Sequence, residues 1–248
     1  MAKIYPCVVD LSHWDPADDY NKVKQAGIVG VIYKATQSVN YTDPTYTRQQ
    51  SAAKAAGLKW GSYHFADGTG WQAQAENYLR FASPDPDELF CLDWEDNPGG
   101  HGKMIVDGAQ QWITKVETEL GRPGQCVIYS GNTAKELLGK TVHDFFGARR
   151  LWLCHYTSGQ PRWQASWDTY WLWQFTDGEA GPEPHRIPGI GACDINSYDQ
   201  GPIEQLIAEW ATGEAQPEPA PGPDDEIAAV NIVTEGKVRV SVNGKVVS

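Results

Sequence analysis

Five strand-then-helix alternations, followed by three strands joined by loops, predict an α/β fold: an irregular TIM-like barrel of (β/α)5(β)3 type, followed by a small C-terminal β meander. Two further observations support this fold. A chain of 248 residues suits one barrel domain with a small appendage. Polar, chemically capable side chains also recur where the apolar strands end, the face on which a barrel of this kind builds its site.

The first strand is Cys7-Val8-Val9-Asp10, with a helix over about 18–26 after it. Residues 28–34 are the second strand, and a helix over 44–56 stops at Gly57. The third strand spans 59–65, with a helix over 72–81. The fourth, 89–95, is an apolar run bounded by Pro84 and Pro86 on one side and Asn97-Pro98-Gly99-Gly100 on the other. An amphipathic helix over 104–120 ends at Gly121-Arg122-Pro123-Gly124. A fifth strand, 126–129, is followed by a short helical stretch over 133–138. The alternation then breaks. Residues 151–156, 170–176 and 193–195 read as strands separated by loops, and 203–210 as a closing helix.

Strand ends fall at Asp10, Lys34, His64, Asp93 with Glu95, Tyr129, Tyr156, Gln174 and Asp194. A strand sends residues i and i+2 to one face, so Asp93 and Glu95 project together. Mutual repulsion and burial both raise a carboxyl pKa. A carboxyl group still protonated near neutrality is what protonates the leaving oxygen of a glycoside. An Asp-x-Glu spacing alone reads equally well as a turn cap beside a solvated Glu. The surrounding strand-end pattern is what favours chemistry.

Composition narrows the partners. A formal charge of -12 argues against nucleic acid and anionic membrane, and no apolar run approaches the ~20 residues of a bilayer span. Eleven Trp and eleven Tyr exceed what the core requires and are suited to stacking on sugar rings. Cys7, Cys91, Cys126, Cys154 and Cys193 are far apart and odd in number, which predicts free buried thiols. No metal-ligand spacing is present, and neither a metal nor an organic cofactor is expected.

From Gly213 the composition changes. Residues 213–226 are rich in Pro, Ala, Gln, Asp and Glu and read as an extended linker. Residues 227–248 contain three strand-like runs, at 232–234, 237–242 and 245–247, with Asn243-Gly244 as a hairpin signal. So small a meander has too little core to stand alone and is expected to bury its Val face on the barrel or on another copy, making a homo-oligomer. The domains read as 1–212 barrel, 213–226 linker and 227–248 β segment.

Several separated motifs resemble glycoside hydrolase family 25, the bacterial and phage N-acetylmuramidases. They are Val9-Asp10-Leu11-Ser12-His13-Trp14, Tyr33-Lys34-Ala35-Thr36, Gly61-Ser62-Tyr63-His64-Phe65, Leu92-Asp93-Trp94-Glu95, Ile128-Tyr129-Ser130-Gly131, Leu151-Trp152 with His155-Tyr156, Trp173-Gln174-Phe175 and Asp194-Ile195-Asn196. The chain departs from the family pattern at Asp15-Pro16, where Gln is frequent, and at Gln37-Ser38, where Glu-Gly is frequent.

The resemblance implies cleavage of the β-1,4 bond between N-acetylmuramic acid and N-acetylglucosamine in bacterial peptidoglycan. It implies Glu95 as general acid and then base, with Asp93 as its partner and Asp10 and Asp194 completing the pocket. Tyr63, Tyr129, Trp152 and Tyr156 become candidates for sugar stacking or hydrogen bonding, with His64, Lys34 and Gln174 as further substrate-binding candidates. For the aromatic residues plain core packing is the competing reading, for His64 a satisfied barrel histidine, and for Lys34 a solvated strand end.

The linker and tail look like those of a phage endolysin. With no signal peptide legible at the N-terminus, such a protein is expected to be made in the host cytoplasm and to reach the wall after release. An endo-chitinase or N-acetylglucosaminidase on the same barrel, and a non-catalytic cell-wall binding protein, are the alternatives.

Overall fold

The computed structural model of the protein describes residues 3–97 and 99–212, together with the backbone of strands at 233–234, 238–242 and 245–247. The chain forms two compact units, Met1–Ala215 and Gln216–Ser248.

The first unit contains the barrel strands β1 (Pro6–Leu11), β2 (Gly30–Gln37), β3 (Lys59–Phe65), β4 (Leu89–Asp93), β5 (Val127–Ser130), β6 (Leu151–Cys154), β7 (Leu172–Thr176) and β8 (Asp194–Ser197). Neighbours from β1 to β7 pair in parallel. β8 pairs antiparallel with both β7 and β1, which closes the sheet. The helices between strands are α1 (Tyr20–Gln25), α2 (Tyr46–Ala55), α3 (Trp71–Phe81), α4 (Val106–Leu120), α5 (Asn132–Leu138) and the single turn α6 (Asp144–Gly147), with α7 (Ile203–Ala208) after β8. The (β/α)5(β)3 barrel is therefore the architecture of this unit.

The direction of β8 corrects the reading of Asp194 as the end of a parallel strand. A parallel return needs a crossover, usually helical, whereas an antiparallel neighbour does not. The segment between β7 and β8 has no helical period and carries only a two-stranded ladder, Arg186–Ile187 with Gly191–Ala192. Asp194 is thus the first residue of β8, and reversal of the strand brings that start to the mouth where the other strands end. The loop between β6 and β7 does the covering work of a helix. Its Trp167 is buried and donates from Nε1 to Arg149 O at 2.8 Å.

Alternation along the strands sorts side chains into two layers. Outward residues such as Val31, Trp60, Phe90, Leu92 and Ile128 pack under the helices. The amphipathic α4 contributes Ala109, Trp112, Ile113 and Val116, spaced i, i+3, i+4, i+7 as one helical face requires, and it ends at Gly121 with φ 66°. Inward residues, among them Val8, Ile32, Leu89, Cys91, Val127 and Leu172, fill the barrel. Trp210 joins this inner cluster at the end where the strands begin and donates from its indole to Trp60 O at 2.7 Å. Gly30 makes room for it: a Cβ there would stand 2.4 Å from the Trp210 ring.

Element ends differ from expectation in instructive ways. β4 ends at Asp93 rather than at residue 95. Trp94 N still donates to Tyr129 O at 2.9 Å, but the Trp94 indole turns outward, bonds Met104 O at 2.8 Å and stacks on Phe146. That anchoring bends the chain at Glu95. α6 had no signal in sequence because one turn shows no period.

In the second unit Val233–Thr234, Val238–Val242 and Lys245–Val247 form an antiparallel three-stranded sheet in that order. The predicted linker 213–226 and the Asn243-Gly244 turn lie outside the described residues.

Candidate active site

The mouth of the barrel collects side chains by strand parity. Asp10 on β1 and Lys34 on β2 point inward, followed by Tyr63 on β3, Asp93 on β4 and Tyr129 on β5. Trp152 on β6, Gln174 on β7 and Asn196 on β8 complete the ring. His64 does not join them. It follows Tyr63 directly, and consecutive strand residues face opposite sides of a sheet. Its ring is fully buried beneath the helices, with Nδ1 2.7 Å from Thr36 Oγ1, Nε2 3.0 Å from Gln74 Oε1, and Trp112 stacked at 5.3 Å. Burial holds its pKa down at about 4. The expectation that His64 binds substrate is therefore replaced by a structural role.

Asp10 is the hub. Its Oδ1 and Oδ2 accept from Gln174 Nε2 at 2.9 and 3.1 Å, and Oδ2 accepts from Asn196 Nδ2 at 2.7 Å. Gln174 Oε1 accepts from the hydroxyls of Tyr129 and Tyr156, both at 2.8 Å. Asn196 Oδ1 accepts from the Trp152 indole at 2.6 Å. Trp152 and Gln174 are 1% and 2% exposed. They form a floor that holds Asp10, in place of the direct sugar contact expected of them. Tyr129 is also buried, packed edge-on against Trp152 at 4.5 Å, whereas Tyr63 and Tyr156 remain half-buried at the rim.

Around this hub the electrostatics are crowded. Burial pushes Asp10 up to about 7 against the pull of its amide donors, with the charges of Asp15 and Glu95 adding to the rise. Asp93 is raised well above the usual carboxylate range, first by burial and then by the Glu95 charge, and its Oδ1 is buried without a partner. Asp194 is likewise raised by burial and by the charges of Asp10 and Asp15. Glu95, half-buried, is raised from 4.5 to about 7 by burial, and the Lys34 ammonium acts in the opposite sense. Lys34 is itself buried and lowered by desolvation. Its Nζ sits 2.5 Å from Gln37 Oε1 and 4.6 Å from the Phe65 ring centroid, with Asp93 and Glu95 in its field.

Sequence reasoning gave no role to Asn196, Asp15 or Gln37. Asn196 stands two residues after Asp194, so strand parity was the signal that could have found it. Asp15 anchors the loop after β1, accepting from Ser12 N at 2.8 Å. It and Gln37 are two of the positions where the chain leaves the resembled pattern. A separate cleft of about 470 Å³ opens where β6 and β7 begin, lined by Arg150, Trp171 and Glu209 among others, remote from the carboxyl cluster.

A hydrophobic floor, four strand-end carboxyl groups and half-buried tyrosines suit acid–base chemistry on a neutral polar ligand such as a glycan. Comparison with known proteins agrees with that chemistry. The model of the family described as glycosyl hydrolases family 25 matches residues 9–183. The chain is similar to the autolytic lysozyme of Clostridium acetobutylicum, 28% identical over 226 residues, which cover 90% of this chain and 62% of that protein. It therefore spans less than two thirds of that relative's length. In structure it resembles the bacterial lysozyme from Streptomyces coelicolor, with a TM-score of 0.71 and 24% identity over 86% of this chain and 99% of that one. The muramidase from Acremonium alcalophilum superposes with a TM-score of 0.69 at 26% identity, over 86% of this chain and all of the other. The family match runs from β1 to the loop after β7, more than half of the chain, and on that basis the protein belongs to glycosyl hydrolases family 25.

Proposed function

We propose that the protein is an N-acetylmuramidase that cleaves the β-1,4 bond between N-acetylmuramic acid and N-acetylglucosamine in bacterial peptidoglycan. The observation that carries this reading is Glu95, half-buried beside Asp93 with burial lifting its pKa to about 7, so that a large share of the molecules keeps the proton near neutral pH. Glu95 delivers that proton to the glycosidic oxygen as the bond to C1 of the muramic acid breaks. Asp93 lies deeper and orients the acetamide of the bound sugar, its oxygen toward C1. The ionised Glu95 then takes a proton from the water that attacks C1. One water is consumed and Glu95 ends protonated. Asp10 supplies negative charge across the mouth, Asp194 borders it, and Tyr63 and Tyr156 line the rim.

The test is digestion of purified cell walls, followed by borohydride reduction and mass analysis of the fragments. New reducing N-acetylmuramic acid is expected. Reducing N-acetylglucosamine would make the enzyme a glucosaminidase, and wall binding without any new reducing end would reduce it to a binding protein.

The proposal extends to a phage endolysin made in the host cytoplasm and acting on the wall after release. The Pro-rich, acidic composition of 213–226, ahead of a separate C-terminal β segment, supports that extension. Fractionating infected or expressing cells before and after membrane permeabilisation checks it: enzyme on the wall beforehand would count against it.

A further inference from the structure

We infer that Asn196 and Gln174 are positioning residues that let Asp10 ionise ahead of Asp93 and Asp194, with Asn196 locked in its donating orientation by the Trp152 indole behind it. The inference deepens the glycosidase reading and rests on it for its catalytic consequence.

An amide side chain can present either its NH2 or its oxygen to a carboxylate, and the neighbouring groups decide which. The indole N–H of Trp152 can only donate, and it lies 2.6 Å from Asn196 Oδ1. That fixes Asn196 with Nδ2 toward Asp10 Oδ2 at 2.7 Å, and its other hydrogen reaches Val8 O at 3.3 Å. Gln174 is held from the other side by groups that can donate or accept, with the Asp10 carboxylate favouring its NH2. Two tyrosine hydroxyls, of Tyr129 and Tyr156, meet its Oε1, leaving Nε2 to face both oxygens of Asp10. Asp10 thus receives N–H groups from two amides, and the Asn196 donor cannot be turned away without stranding the Trp152 indole.

The network is fully paired only when Asp10 is an anion. A proton on Asp10 Oδ2 would point at an N–H and leave a buried amide hydrogen without an acceptor, a loss of the kind that costs about 1–3 kcal/mol. The other carboxyl groups have no such arrangement. Among the described residues no side-chain amide donates to Asp93, Glu95 or Asp194, and Asp93 Oδ1 is unpartnered.

The titratable groups facing Asp10 all oppose its charge or are neutral. Asp15 on the loop after β1, Glu95 after β4, Asp93 on β4 and Asp194 on β8 bring like charge. The phenols of Tyr63 and Tyr156 and the thiols of Cys91, Cys154 and Cys193 are held neutral by burial. Lys34 directs its field to Asp93 and Glu95, so the amides are the direct counterweight at Asp10. They decide which group of the cluster carries the negative charge, and they place it without rearrangement during the reaction.

The experiment is a carboxyl-carbon NMR titration of the full chain labelled at Asp, with the Asp10 signal assigned by its loss in Asp10→Asn. Asp10 is expected to ionise below Asp93 and Asp194. Asn196→Ala is expected to move that titration upward by about one pH unit, and Trp152→Phe in the same direction by less, because it removes the indole N–H and part of the ring but leaves Asn196 itself in place. In parallel, the loss of kcat/KM on cell walls in Asn196→Ala should be about fivefold greater at pH 6 than at pH 8. A purely structural role would lower activity by the same factor at both.

An Asp10 that titrates above Asp93 in the wild type, or at the same pH in the wild type and in both folded variants, overturns the inference. The NMR readout requires no turnover. If walls are not cleaved yet the titration shifts as stated, the glycosidase reading fails and the positioning network stands.

Discussion

Replacing the proton donor should make the protein less active and more stable, and the two effects should have different pH dependences. In Glu95→Gln the amide keeps the shape of the side chain and can carry neither the transferable proton nor the charge. Acid–base groups contribute about 10²–10⁴-fold, so turnover on cell walls is expected to fall at least that far. The wild-type pKa of about 7 means that roughly half the molecules hold the proton at pH 7, and that kcat falls about tenfold per pH unit above it. Residual activity of the variant should lack that alkaline limb.

Stability moves the other way. The native pKa lies above the ordinary 4.5, so the folded state binds the proton more tightly than the unfolded one. The stabilisation is fully present below about 4.5 and is lost as pH rises through about 7. The difference corresponds to about 3 kcal/mol for an isolated group, and less if the cluster shares its charge. For a domain of this size that is at most about 6–12 °C in Tm. Scanning calorimetry should therefore show Glu95→Gln above the wild type at pH 8 and level with it near pH 4.5. An equal gain at both pH values, no gain at pH 8, or near-wild-type turnover in the folded variant would each refute the placement of Glu95.

Other substitutions probe the surroundings. Gln37→Glu would pair the Lys34 ammonium, now 2.5 Å from an uncharged amide oxygen, and weaken its pull on Glu95. The alkaline limb of kcat should move to higher pH, and a shift to lower pH would show that Lys34 does not act on Glu95. Gly30→Ala would drive a Cβ to 2.4 Å from the Trp210 ring; about 1–3 kcal/mol of destabilisation is expected by urea unfolding, with little change in KM. A chain ending at Gly213 should keep activity on soluble fragments yet differ from the full chain in light-scattering mass or in the rate of whole-wall lysis. Identity in both would leave the C-terminal segment without an associative role.

Much of this barrel was legible because periodicity reports directly on burial. β3 was read with its true bounds, and α4 showed its face through Ala109, Trp112, Ile113 and Val116. The carboxyl groups of Asp10, Asp93 and Glu95 were legible because strand ends and a two-residue spacing are local signals, whereas Asp194 reads as a strand end and reaches the mouth as a strand start. What escaped was information that only the closed sheet contains. The role of Asn196 depends on β8 lying beside β1, and that of Trp152 on a hydrogen bond across 44 residues of chain. His64 was misplaced for a different reason. Its neighbour Tyr63 had also been chosen, and parity alone forbids both from facing one mouth.

The reversal of β8 has a chemical consequence as well as a topological one. In the register of β1 and β8 Asp10 stands opposite Asp194, so an antiparallel neighbour brings the first residue of one strand beside the penultimate residue of another. Two residues further along β8, on the same face, Asn196 reaches back to Asp10 while Asp194 stays at the rim. A parallel strand leaving the same mouth would carry the residue after Asp194 away from the barrel, and no amide two places on could donate inward. The antiparallel closure thus delivers a like charge and its counterweight to Asp10 from one four-residue strand. That pairing explains how four carboxyl groups share one barrel mouth while Asp10 binds its proton less tightly than Asp93 and Asp194.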